Sequence, residues 1–361
     1  MKLTSCLLRN YALRNYVLKT AALAMLAGIG GLLLLQMVFA YLGEIDSLSP
    51  EYTFVQAFWY IVYRAPYFFG QFMATGVLLG AVVGLGLLAV NSEIVVMRAA
   101  GISLYRIIGW TMLPATLIAL GALCVNQWLL PYSNTQAKQI KHPTARMLAL
   151  QGYWTVLDNA NERTVMHIAT ADIAGNLTGV RRYQLQDGQL ISALEADSAV
   201  WLDGYEWQLQ NVARADFTGT VTTTHFPTQV ITLPIDKSAV YLLTKDADDL
   251  SISELYAHDK LMHHQDKVSK RHRLAFWQKL LSPLSVLSLL LVACSFVFGS
   301  LRSQSMGFRV VLALLTGLLF SYLQDLSGFV ALATGISPLM MVLLPIVVSV
   351  GVGIWLLNKK A

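Results

Sequence analysis

A chain of 361 residues that is 55% hydrophobic and only 13% charged, with a mean hydropathy of +0.54, falls outside the ordinary soluble class and belongs with integral membrane proteins. Its three cysteines, Cys6, Cys124 and Cys294, lie in or beside apolar runs, so no disulfide framework or cysteine metal site is implied. The formal net charge of +5 follows membrane topology and is no argument for nucleic acid.

Asp, Glu, Lys and Arg are absent from 20–43, 65–92, 107–137 and 280–301. Each run reaches the roughly 20 residues that cross a bilayer as a helix. The first is long enough to span and has no small-residue cleavage site, so it reads as a span and not a cleavable signal. Beyond Arg309 the apolar pattern continues with one acid, Asp325, and "GISP" at 335–338 divides it into spans near 308–327 and 337–357. The spacing therefore predicts a polytopic α-helical protein of six spans, three before and three after an insertion. The expected divisions are 1–130, 131–272 and 273–361.

Basic residues orient the spans, because Lys and Arg are retained in the cytoplasm. Lys2, Arg9, Arg14 and Lys19, then Arg98 and Arg106, then Arg302 and Arg309, then Lys359 and Lys360 share one side, where Glu93 is the sole acid. The first loop on the other side carries Glu44, Asp46 and Glu51 against Arg64. Both termini are thus expected in the cytoplasm and the insertion in the periplasm.

Between the second and third runs stands "NSEIVVMRAAGIS", 91–103. Asn91 or Ser92 is placed to cap a short helix, Glu93 lies in its first turn, and Gly101 is placed to end it. Its face of Ile94, Val95 and Met97, with Ile102 beyond, has no span to bury it. An interfacial helix would carry several Lys or Arg on its polar face, whereas this one has Arg98 alone. A helix of about 91–101 docked on a cytoplasmic partner fits better, as in the coupling helix of an ABC-transporter permease.

The insertion alternates. "RTVMHIAT", "GVRRYQLQ", "SAVWL", "YEWQLQNVARADF" and "TQVITLPI" are separated by "DNAN" at 158–161, "AGN" at 174–176, Asp187-Gly188 and Asp203-Gly204. Period-two alternation with such turns predicts antiparallel strands, closing as a sandwich or jelly-roll. Ser251 and Glu254 then have capping-box spacing for a helix returning to the membrane. His258, His263, His264 and His272 on that return do not repeat a metal-binding face. No phosphate-binding G-x-x-x-x-G-K-[ST], no G-x-S-x-G and no H-E-x-x-H occurs, so catalysis by this chain is not expected.

Two stretches carry a resemblance. "LLGAVVGLGLLAVNSEIVVMRAAGIS" (78–103) resembles the approach to the coupling helix in the lipopolysaccharide-export permeases of the LptF/LptG family. "FWQKLLSPLSVLSLLLVACSFVFGSLRSQSMGFRVV" (276–311), with "DLSISEL" (249–255), resembles the LptG branch. The resemblance implies three spans, a periplasmic β-jelly-roll and three spans. It also implies an LptB-type ATPase dimer, an LptF-type permease, the single-helix protein LptC and the LptA bridge as partners, with lipopolysaccharide as cargo. ATP and magnesium would be held by the ATPase, with no cofactor on this chain. By the same resemblance, Glu93 takes the acidic ATPase-contact position, with Arg98 and Met97 beside it. Lys138 and Lys141, in "PYSNTQAKQIK", fall where that branch carries basic residues for lipid phosphates. One departure is "MVFAYLGEIDS", apolar then acidic where the family has lysines at the outer end of the first span; Arg64 is the candidate substitute. A mechanotransmission permease, which drives a periplasmic domain without moving lipid, is the alternative, but such proteins usually have four spans.

Overall fold

The computed structural model describes residues 2–50, 52–141, 153–159, 162–171, 175–219, 221–233, 236–263, 269–298 and 304–358. The chain divides into two compact units, one helical (1–141, 251–253 and 269–361) and one built on the insertion (142–250 and 254–268).

The helical unit begins with α1 (Lys2–Glu44) and α2 (Phe54–Val90). The Thr53 backbone N–H donates to Gln56 Oε1 at 2.7 Å, satisfying one of the free donors at the start of α2. The short helix α3 (Glu93–Ala99) leads to α4 (Leu104–Cys124), which runs through a π-helical stretch, Val125–Leu129, into α5 (Leu130–Lys141). The third span and residues 131–141 are therefore one rod. Composition placed those last residues in the insertion, but their polar side chains leave the helical hydrogen-bond ladder unbroken.

α1 lies on α2 at backbone distance because the facing residues are small. A Cβ on Gly28 would come to 2.6 Å from the Gly76 carbonyl, one on Gly76 to 2.7 Å from Ile29 Cα, and one on Gly84 to 2.8 Å from Ala24 Cβ. Gly80 faces Met25 Cα and the Ala24 carbonyl more closely still. Gly76, Gly80 and Gly84 recur every fourth residue and so share one face of α2. Small residues are what permit such an approach inside a bilayer, where burial of apolar surface offers no drive.

In the insertion unit, β1 (Tyr153–Asn159), β2 (Glu162–Ala171), β3 (Leu177–Gln186), β4 (Gln189–Asp203), β5 (Glu206–Asp216) and β6 (Thr222–Thr232) form one antiparallel sheet in sequence order. The jelly-roll expected of the insertion takes the form of this meander among the described residues. Asp187 and Gly188 both have positive φ, 51° and 79°, the signature of a two-residue hairpin turn that matches strand twist. The next turn sits one residue later than its sequence signal: Asp203 pairs with Glu206, so Gly204 and Tyr205 form the tip. One face is apolar and buried around Met166, Val180, Ala199, Trp207, Leu209 and Val212. α6 (Lys237–Thr244) adds Ala239 and Val240 to that core, and the Asp236 side chain caps it by accepting from the Ala239 N–H at 2.7 Å.

α7 (Ile252–His263) starts directly after Ser251, and α8 (Lys270–Leu280) and α9 (Ser282–Phe298) follow. α8 and α9 meet at 53°. Pro283 explains the bend: it has no N–H to donate to the preceding turn, and the Ser282 hydroxyl donates to the Lys279 carbonyl at 2.9 Å. α10 (Met306–Thr334) and α11 (Pro338–Asn358) complete the unit, divided at Gly335 with φ 75°. Among the described residues, five helices are long and apolar enough to cross a membrane, and six if the bent pair counts as one. Several hydroxyls within them are returned to their own helix, as with Thr111 to the Ile107 carbonyl at 2.9 Å and Thr316 to that of Leu312 at 2.7 Å, which pairs these polar atoms without water.

Candidate functional site

The helical unit presents distinct chemistry at its two ends. At one, α3 is a two-turn helix locked in place by its own termini. Ala100 and Gly101 close it: the Ile102 N–H reaches the Met97 carbonyl at 3.1 Å and the Gly101 N–H that of Arg98 at 2.9 Å. This double closure requires a left-handed residue after the cap, and Gly101 supplies it with φ 88°. At the start, Ser92 is itself left-handed, with φ 60° and no side-chain cap bond, so neither Asn91 nor Ser92 caps the helix in the expected way.

The apolar face of α3 is split. Ile94, Met97 and Ile102 are 6%, 3% and 4% exposed and join the core of the helical unit, whereas Val95 and Val96 are 64% and 66% exposed. Met97, expected on the contact face, is turned inward as an anchor. The outward surface is Val95, Val96 and Arg98, with half-buried Glu93 at its edge. Glu93 Oε1 accepts a hydrogen bond from the Tyr16 hydroxyl of α1 at 3.2 Å.

At the opposite end, α1 finishes at Glu44. Lys141, the last residue of α5, places Nζ 2.8 Å from each Glu44 carboxylate oxygen. The Ser47 hydroxyl donates to Glu44 Oε2 at 2.8 Å, and the Tyr52 hydroxyl at 3.4 Å. Burial raises the Tyr52 phenol well above its ordinary pKa, and the Glu44 charge adds to it, so Tyr52 stays a donor. Lys141 Nζ also lies 5.0 Å from the centre of the Tyr60 ring. The Arg64 guanidinium carbon is 6.0 Å from that same ring and 4.4 Å from that of Tyr67. Cations are held over aromatic faces by the ring quadrupole.

Two of the three residues expected at the lipid head group, Arg64 and Lys141, are thereby brought to one ring. Lys138 is one helical turn back along α5. Among the described residues Arg64 has no ion-pair partner. Glu44, Tyr52 and Tyr60 were not singled out in the sequence, although Tyr60, Arg64 and Tyr67 at spacings of four and three do mark one helical face. Asp325 is exposed on α10, about two and a half turns before its end. His258 is buried on α7, His264 lies outside the described residues, and no group of three potential metal ligands gathers among the described residues.

A family model described as lipopolysaccharide export system permease LptF/LptG matches residues 15–359. The chain belongs to the LptF/LptG family. Relatives include the lipopolysaccharide export system permease protein LptG of Escherichia coli K12, 28% identical over 360 residues and covering 97% of this chain and 98% of that protein. LptG of Haemophilus influenzae Rd is 28% identical over 351 residues, covering 91% and 96%. As an LptF/LptG permease, the chain is a multi-pass inner-membrane subunit of a transport system, and its two membrane groups flank an antiparallel β-insertion. In this LptF/LptG member, the exposed apolar tip of α3 and the half-buried cations around Tyr60 are the chemistry at the two ends of the bundle.

Proposed function

We propose that this chain extracts lipopolysaccharide from the outer leaflet of the inner membrane and drives it toward the outer membrane, powered by a separate ATPase docked on α3. The termini and α3 face the cytoplasm and the β-unit the periplasm, in keeping with the basic residues on the α3 side. The partners are an LptB-type ATPase dimer that holds ATP and magnesium, an LptF-type permease, LptC, and LptA through the assembled complex. Each buried methylene holds a lipid by about 0.8 kcal/mol, so a lipid with several acyl chains resists extraction by tens of kcal/mol. Extraction then needs an external motor and a protected path.

The observation that carries this reading is the split face of α3. Val95 and Val96 form an exposed apolar knob, and the inward Ile94 and Met97 make it rigid. A knob anchored in this way transmits displacement to the spans, which a mobile loop cannot. Arg98 and Glu93 supply a charge at either side for orientation on the motor, and Arg64, Lys138 and Lys141 receive the phosphorylated head at the other end.

The test is made in the complex reconstituted in proteoliposomes with its ATPase and LptF-type partner. Val96→Asp puts an unpaired charge into the docked surface and is expected to weaken ATPase association at least about tenfold, equal to about 1.4 kcal/mol. ATP-driven lipopolysaccharide release should fall with it, and Glu93→Ala should act in the same direction. Normal association and release in both variants would return α3 to the membrane surface and remove the assignment.

A further inference from the structure

We propose that Glu44 is a built-in counter-ion for Lys141, and that the phosphate of an arriving lipid head displaces it and so frees the end of α1 from α5. This inference rests on the permease reading above. Glu44 and Lys141 are 97 positions apart, and their bond ties the last turn of α1 to the last residue of α5. The pair is well covered, with 14% of the Glu44 and 26% of the Lys141 side chain exposed, so water screens it weakly.

The local charge balance favours exchange. Arg64 and Lys141 share the Tyr60 ring, at 6.0 and 5.0 Å, and Glu44 pairs with only the second of them. One carboxylate therefore leaves a cation beside Tyr60 without an anion among the described residues. A phosphate monoester carries about 1.5 to 2 negative charges at neutral pH, and guanidinium groups take phosphate through paired N–H donors. Such a group can satisfy both cations where Glu44 satisfies one. The displaced carboxylate is not stranded, because Ser47 and Tyr52 continue to donate to it. Head-group arrival and release of the α1 end become one event. The acidic "GEIDS" at the end of the first span is then a working part of the site.

A zero-length carbodiimide cross-link tests the exchange, since it joins a carboxylate to an amine only while the two are in contact. The whole complex is placed in nanodiscs without ATP, and the Glu44–Lys141 amide is quantified by mass spectrometry. Lipopolysaccharide is expected to lower the yield several-fold; enzymatically dephosphorylated lipopolysaccharide and inorganic phosphate at equal concentration are expected to leave it unchanged. A yield indifferent to lipopolysaccharide overturns the proposal. An equal fall with the dephosphorylated lipid overturns it in favour of displacement by acyl chains, and an equal fall with inorganic phosphate in favour of a plain anion site. Glu44→Gln keeps the size of the side chain and its acceptor for Ser47 and Tyr52. It is expected to raise lipopolysaccharide retained without ATP several-fold, and unchanged or weaker retention counts against the exchange. ATP is then added to the unmodified complex. Release of lipid with a cross-link yield that never moved sinks the exchange alone, whereas a complex that never releases lipid sinks the permease reading.

Discussion

His167 stands on β2 directly across from Trp154 on β1 and Arg181 on β3, with its ring 4.4 Å from the Trp154 indole. Burial lowers its pKa, and the Arg181 charge lowers it further. The unfolded chain therefore takes up this proton first as pH falls. The stability His167 contributes is complete above the unfolded value of about 6.5 and is lost as pH drops from there toward the depressed folded value. Hydrogen-exchange protection in β2 and β3 of the full chain, corrected for the intrinsic pH dependence of amide exchange, should fall between pH 7 and pH 5, and His167→Gln should flatten that slope; an identical slope in the variant would assign it to other groups. Single residues of this kind were the least legible from sequence. Met97 and Val95 are both apolar, and a two-turn helix is too short for its period to say which faces inward. The packing of the neighbouring spans decides that, and it turned an expected contact residue into an anchor. Likewise nothing in "GEIDS" or "KQIK" announces the other, because their pairing is made only by the third dimension.

Helices were far more legible, for a physical reason: a bilayer core admits few charges, so charge-free length reads directly as a span. That argument located the membrane crossings but not where helices stop, since the backbone ladder of α5 runs on past the apolar residues to Lys141. It also missed the 53° bend ahead of α9, although Pro283 marks it in plain text. The seam between α1 and α2 shows what packing adds. A methyl at Gly80 would overlap the α1 backbone, while one at Gly31 would have nothing within 4 Å. Gly80→Ala is accordingly expected to destabilise the chain by roughly 1–3 kcal/mol, seen as a lower thermal midpoint in detergent. Gly31→Ala should match or exceed the parent, since alanine is the better helix former. Equal shifts in the two variants would mean that the seam is not close-packed in the bilayer.

Taken together, the two membrane groups and the inserted sheet were visible as blocks of composition, whereas the single-sheet order of the insertion was not, because alternation shows that strands exist and not how they are ordered. The orientation can be tested on the intact protein. With Cys6, Cys124 and Cys294 replaced, a cysteine at Asp187, in the β3–β4 turn, should react with a membrane-impermeant maleimide in cells whose outer membrane alone is opened. A cysteine at Val96 should react only after the inner membrane is breached, and the reverse pattern would invert the topology. The seam with α2 has one more consequence. Its close backbone approach is seen as far as Gly28 and Ile29, and from Gly30 to Glu44 no residue of α1 is buried within this chain, although the Tyr41 hydroxyl donates to the Phe54 carbonyl at 3.3 Å and its ring lies 6.5 Å from that of Phe58. Those fifteen residues, about 22 Å of helix, form a cantilever: clamped at its root by glycines, without buried packing along its length, and moored near its tip by Tyr41 and Glu44. A beam of that design, once the ionic mooring goes, is left with the exposed Tyr41 contact to hold its tip, and a whole apolar edge can sweep with no need to unpack the root.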